Sequence, residues 1–178
     1  MNYKPKQYDY YLGIDPDYEA SGFSMLDKQN RCIAESRALS FPDAIKYLDA
    51  LAAGVMKDKT LVIIEDSFST TNWHIDKLMY APIDTKQKLR KAAAMGHGIG
   101  LCHSTQVHLQ QYATSVGLDV KLQKPLKKHW LGKDGKISQE EITQFMTGFP
   151  KRSNQECRDS ALLAWVEGNM PIRILPKR

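Results

Sequence analysis

The chain has 178 residues, 42% of them hydrophobic, which is enough apolar material to cover a sheet on both faces within one domain spanning 1–178. A net charge of +5 and a pI of about 9.0 point to a polyanionic partner. Cys32, Cys102 and Cys157 form no CxxC or Cys/His pattern, which excludes a disulfide framework and a zinc site and fits a reducing cytoplasm.

The first eleven residues carry lysines but no apolar signal-peptide core, and no later run approaches the ~20 apolar residues that cross a bilayer. No membrane partner is expected, and a cytoplasmic location follows. Tyr10, Leu12 and Ile14 alternate with Tyr11 and Gly13, the period of a strand, and Pro16 ends the ladder just after Asp15. Asp15 thus stands at a strand terminus. Polar turns at 17–20 and 27–30 separate two further strands, Ser21 to Leu26 and Arg31 to Leu39, which makes an antiparallel meander. Ser40-Phe41-Pro42-Asp43 starts a helix whose apolar positions Ala44, Ile45, Leu48, Leu51 and Ala52 extend to about Met56.

Thr60 to Ile64 is a continuously apolar, β-branched run suited to a central parallel strand, and it ends in Glu65-Asp66. Beside the first strand and parallel to it, this strand would bring Glu65 out at the same edge as Asp15. Asp66 is a rival, but adjacent strand residues face opposite ways, so only one of the two looks inward. The stretch from Ser67 to Thr85 reads as a long loop with Phe68, Trp73, His74 and Tyr80 and no apolar period. From Lys86 to Val116 a long helical pattern follows, with Gly96 and Gly100 reducing bulk for close approach to the sheet or another helix. Gly96-His97-Gly98 follows no strand and is not a phosphate loop, and His97, His103 and His108 have no ligand partners at metal spacing.

Asp119 to Gln123 makes a last strand, followed by a basic loop, 125–136, with Trp130 among lysines. That composition suits a phosphate backbone and a stacked base as well as a solvated surface. Between Lys121 and Arg158 nine basic residues face four acidic ones, so this segment carries the whole surplus of +5. Ser138-Gln-Glu-Glu141 is a capping box opening a short helix to about Met146. The last helix begins near Asn154. It holds Glu156 and Asp159 on one face, next to a small-residue stripe of Cys157, Ala161, Ala164 and Gly168 that lets it press against the sheet.

In this order the elements resemble the RNase H-like α/β fold, a mixed five-stranded sheet of antiparallel meander and parallel strands flanked by helices. Within it they resemble the RuvC family of Holliday-junction resolvases. The resemblance rests on Gly13-Ile14-Asp15-Pro16 followed by Ser21-Gly22, Ile64-Glu65 with Phe68 three residues on, Gly96 to Gly100, Lys127, Gly132 to Gln139, and Glu156-Cys-Arg-Asp159-Ser-Ala-Leu-Leu-Ala164. It runs from about Tyr10 to Gly168. The family most often has Asp or His where this chain has Glu156, and glycine where it has Asp17; a longer carboxylate still binds magnesium.

The resemblance implies an endonuclease that cleaves four-way DNA junctions by two-metal-ion hydrolysis, with two Mg2+ ions, replaceable by Mn2+, held by Asp15, Glu65, Glu156 and Asp159. Asp15 would bridge the ions, Glu65 and Asp159 would complete one each, and Glu156 would share in the second. It further implies DNA contacts from Phe68, Lys127, Lys128, Lys133, Lys136 and Arg158, a homodimer that makes paired cuts, and a branch-migration helicase as partner. Two alternatives share these residues. One is an RNase H-like nuclease acting on RNA or other branched and replication intermediates; the other is a non-catalytic nucleic-acid-binding module. A sugar-kinase-like ATPase fits least, because no second glycine-rich phosphate loop follows a later strand.

Overall fold

A computed structural model describes residues 6–69, 75–126 and 129–173. Strands β1 (Tyr10–Asp15), β2 (Ser21–Asp27) and β3 (Cys32–Leu39) form the expected meander, with an irregularity in the β2/β3 register between Met25 and Leu26. Helix α1 (Phe41–Ala53) is capped by Ser40, whose hydroxyl accepts from Asp43 N, and it ends at Ala53, three residues before Met56, with Gly54 as its C-cap. Strand β4 (Thr60–Glu65) lies against β1 in parallel, and β5 (Asp119–Gln123) continues the sheet in parallel with β4, giving the order β3-β2-β1-β4-β5.

The stretch read as one long loop is partly helical. Ser67–Ser69 makes a 3-10 turn and Ile75–Met79 a short helix, α2, too short to leave an apolar period in the sequence. Trp73 and His74 lie outside the described residues. Helix α3 (Thr85–Ser115) spans 31 residues, roughly 46 Å at 1.5 Å per residue. Its buried residues, Gln106, Leu109 and Ala113, all lie in the C-terminal half. Helices α4 (Gln139–Phe145), with the capping box at Ser138 and Glu141, and α5 (Gln155–Glu167), capped by Asn154, complete the chain.

Strand alternation divides the core in two. Leu12, Ile14, Phe23, Met25, Val62 and Ile64 face α1 and α3, whereas Tyr11, Ile63, Ile142, Ala161 and Ala164 belong to a second cluster built around α4 and α5. By the same period of two, Gly13, Asp15 and Glu65 share the face covered by α5. The fit between α5 and the sheet is set by glycine. A Cβ on Gly13 would stand 2.0 Å from Ser160 O, and one on Gly22 would stand 2.0 Å from Glu156 O. The expected small-residue stripe therefore meets a floor that also lacks side chains, and Cys157, Ala161 and Ala164 are buried.

Gly96 and Gly100 behave differently from the expectation. A Cβ on either would meet nothing within 4 Å, because this half of α3 stands clear of the sheet, and Leu89 there is 66% exposed.

Candidate active site

The parallel pairing of β1 with β4 aligns Ile14 with Ile64, so Asp15 and Glu65 leave the sheet side by side at one edge. From above, the first turns of α5 bring in Glu156 and Asp159, held at that depth by the Gly13 and Gly22 contacts. The electrostatics record the convergence. The Asp15 carboxyl is pushed well above the usual carboxylate range, first by burial, then by the charges of Glu65 and Asp159, with Glu156 adding to the shift and Lys136 opposing it. All four predicted carboxylates thus act on one place.

Lys136 is the cation of this group. Its Nζ donates to Asp159 Oδ2 at 2.8 Å. Burial works against its charge, but Asp159, Asp15 and Glu65 prevail and raise its pKa above the ordinary value. Lys136, expected from the sequence as a DNA contact, is in this structure the counter-ion of Asp159. The other oxygen of Asp159, Oδ1, accepts from Gln155 Nε2 at 2.8 Å.

Arg158 is also turned inward. Its Nε donates to Ile137 O at 3.1 Å, Nη1 to Ser153 O at 2.8 Å and Nη2 to Gln155 Oε1 at 2.8 Å, so the guanidinium braces the start of α5. Lys133 is exposed, while Lys127 and Lys128 lie outside the described residues. Lys121, part of the basic surplus, pairs with Glu167 at 2.7 Å. Trp130 stacks on His129 and Phe145 and packs against the α4/α5 core, which gives the basic loop an internal anchor.

The rivalry between Glu65 and Asp66 resolves on hydrogen bonding. Asp66 Oδ1 accepts from Phe68 N at 3.2 Å and caps the 3-10 turn, while Glu65 is the one of the two whose charge bears on Asp15. Phe68, 52% exposed, stacks on His103 with ring centroids 4.0 Å apart. Gln106 fixes the turn beneath it by accepting from both Ser67 N (2.7 Å) and Ser67 Oγ (2.6 Å). Sequence reading missed Gln155, His103 and Gln106 as supports. For Gln155 a signal existed: Gln and Asp four apart on a helix are hydrogen-bonding neighbours.

The donors are hard, anionic oxygens, the type that suits Mg2+ or Mn2+, and Asp15 marks a point where negative charge outweighs positive. Among the described residues no three Asp, Glu, His or Cys side chains are gathered tightly enough to enclose an ion. Like charges without a divalent counter-ion spread apart, and Lys136 already holds one oxygen of Asp159. The chemistry of these side chains suits such a cation, while their present spacing does not enclose one.

No protein-family model matches the chain, and no curated protein matches it. Among solved structures it is similar to T. thermophilus RuvC in complex with a Holliday junction substrate, with a TM-score of 0.50 at 10% identity, covering 87% of this chain and 89% of that one. A second structure of Thermus thermophilus RuvC aligns with a TM-score of 0.49 at 12% identity over 90% and 97% of the two chains. The large terminase nuclease of thermophilic phage G20c aligns with a TM-score of 0.32 at 18% identity over 93% and 84%. Strand order, mixed pairing and the first of these likenesses agree: the chain has the RuvC-like form of the RNase H-like fold.

Proposed function

We propose that the protein is a metal-dependent endonuclease that cleaves branched DNA at four-way junctions. The observation that carries this reading is the meeting of Asp15, Glu65, Glu156 and Asp159, from three separate elements, at one sheet edge where they raise the Asp15 carboxyl. Two bound divalent ions would supply there an activated water and stabilisation of the leaving 3' oxygen. Asp15, the carboxylate on which the charges of the other three bear, would hold the ions together with them. Glu65 and Asp159 flank it, and Glu156 reaches it from the first turn of α5. Lys136 partly offsets the charge of the cluster by pairing with Asp159, and with a divalent cation on Asp159 it would be available to a backbone phosphate.

Lys133 and, beyond the described residues, Lys127 and Lys128 supply further phosphate contacts from the same loop. Phe68, half exposed and stacked on His103 three residues after Glu65, would stack on an unpaired base. The exposed half of α3, with Leu89 and the open backbone at Gly96 and Gly100, offers a surface for a twofold partner. A twofold dimer matches the symmetry of a junction that must be cut twice.

The test is cleavage of four-way, forked and linear DNA and of an RNA/DNA hybrid, each with and without Mg2+. Metal-dependent paired nicks in the four-way substrate are expected. Cleavage confined to the hybrid would replace this reading with an RNase H-type activity, and binding without any cleavage would leave a nucleic-acid-binding module.

A further inference from the structure

Asp159 is held by two donors of different kinds. Lys136 Nζ, on a flexible stem, takes Oδ2, and the neutral amide of Gln155 takes Oδ1, both at 2.8 Å. Gln155 is not free to turn. Its Oε1 accepts from Arg158 Nη2 at 2.8 Å and its Nε2 lies 3.5 Å from Ile137 O, so a flipped amide would set donor against donor at Arg158 and acceptor against acceptor at Asp159. Arg158 is anchored in turn to Ile137 O and Ser153 O. The chain Ile137/Ser153, Arg158, Gln155, Asp159 is therefore a directed relay ending on one oxygen of one carboxylate.

We propose that Gln155, locked by Arg158, is the positioning residue that reserves Asp159 Oδ1 and leaves Oδ2 as the oxygen exchanged from Lys136 to a divalent cation. This rests on the metal-dependent reading above. The two donors differ in what an incoming ion can displace. Lys136 is a cation that a divalent ion replaces on charge, whereas Gln155 carries no charge, competes with no cation and keeps its bond. Gln155 is thus a positioning residue, acting through Asp159 and touching no reacting atom.

An α-helical Gln–Asp pair also steadies a helix on its own account, so the experiment must separate orientation from stability. Gln155→Met keeps length and helix preference while removing both amide contacts; Gln155→Ala removes them with the side chain. Mn2+ alone is titrated into the wild-type protein and both variants, followed by calorimetry, and cleavage is measured against Mg2+ concentration. Loss of a hydrogen bond behind a metal ligand weakens metal binding about 10- to 100-fold. Both variants are expected to bind Mn2+ at least about tenfold more weakly, with maximal cleavage largely recovered at saturating Mg2+.

Arg158→Lys, which keeps a cation but loses the fork that fixes Oε1, is expected to shift in the same direction by less. Wild-type Mn2+ affinity in folded Gln155→Met and Gln155→Ala overturns the inference, as does a loss of maximal cleavage with unchanged metal dependence. If the wild-type protein neither binds Mn2+ nor cleaves, the metal-dependent reading itself falls; if it does both and the variants match it, only the role of Gln155 falls.

Discussion

Replacing Gly13 by alanine tests how closely the site depends on the contact between α5 and the sheet. The added Cβ would stand 2.0 Å from Ser160 O and 2.9 Å from Ala164 N, both backbone atoms of a helix that cannot swing aside as a side chain would. Ordinary contact begins near 3.4 Å, so the helix must withdraw by 3.4 minus 2.0, about 1.4 Å. Overpacking of this kind costs about 1–3 kcal/mol. For a chain of this size each kcal/mol lowers Tm by roughly 2–4 °C, so a fall of roughly 2–12 °C is expected. Activity should fall further than stability. Asp159 is the residue before Ser160, and Asp15 lies two beyond Gly13, so a withdrawal above 1 Å opens the carboxylate cluster itself, a misplacement that costs on the order of 100-fold in rate.

The assay is thermal denaturation by circular dichroism together with single-turnover cleavage of a four-way junction in Mg2+, well below both melting midpoints. Gly22→Ala, whose Cβ would meet Glu156 O at 2.0 Å, should behave alike. Gly96→Ala, with nothing within 4 Å in the protomer, should instead stabilise α3 by about 0.5–1 kcal/mol and leave the seat of α5 on the sheet unchanged. An unchanged midpoint and rate in Gly13→Ala would refute the argument that this contact sets the depth of α5.

Asp15→Asn should abolish cleavage while leaving junction binding intact. It should also stabilise the metal-free protein at neutral pH. The folded-state pKa of Asp15 is raised above the ordinary 3.8, so above pH 3.8 the folded state retains a proton that the unfolded state has released, and wild-type stability falls as pH climbs through that window. The advantage of the asparagine variant should widen upward from about pH 4 and vanish below it; melting curves from pH 3 to 8 decide, and a constant difference would contradict the burial and repulsion at Asp15. Phe68→Ala should lose far more cleavage than stability, because the ring is half exposed on His103, and equal losses would mark it as a packing residue. Lys136→Ala should lower the salt slope of junction binding by about one phosphate contact, read from binding isotherms across ionic strengths, with an unchanged slope placing Lys136 off the DNA. Sedimentation at micromolar concentration should show a dimer that Leu89→Glu, on the exposed half of α3, converts to monomer; a monomer that remains so on junction DNA would remove the paired-cut reading.

Local chemistry was sufficient for much of this fold. Strand alternation around Gly13, the β-branched run before Glu65, the serine cap at 40 and the capping box at 138 each depend on neighbours within a few residues, and each element stands where its residues put it. That Asp15 and Glu65 come out at one sheet edge was legible for the same reason, since both end strands whose parallel pairing follows from their apolar character. Tertiary structure alone decided which identical residue types do different work. Gly13 and Gly22 lie under a helix backbone, while Gly96 and Gly100, read from sequence as sites of close approach, stand in the open. Lys133 is exposed, but Lys136, three residues on, is drawn into the acidic cluster, and Arg158, one residue from a carboxylate of the site, is directed back into the protein. The physical reason is common to all of them. Steric allowance and charge pairing are properties of what lies across a contact, and across these contacts the partners are distant in sequence: Gly13 with Ser160, Lys136 with Asp159, Arg158 with Ile137.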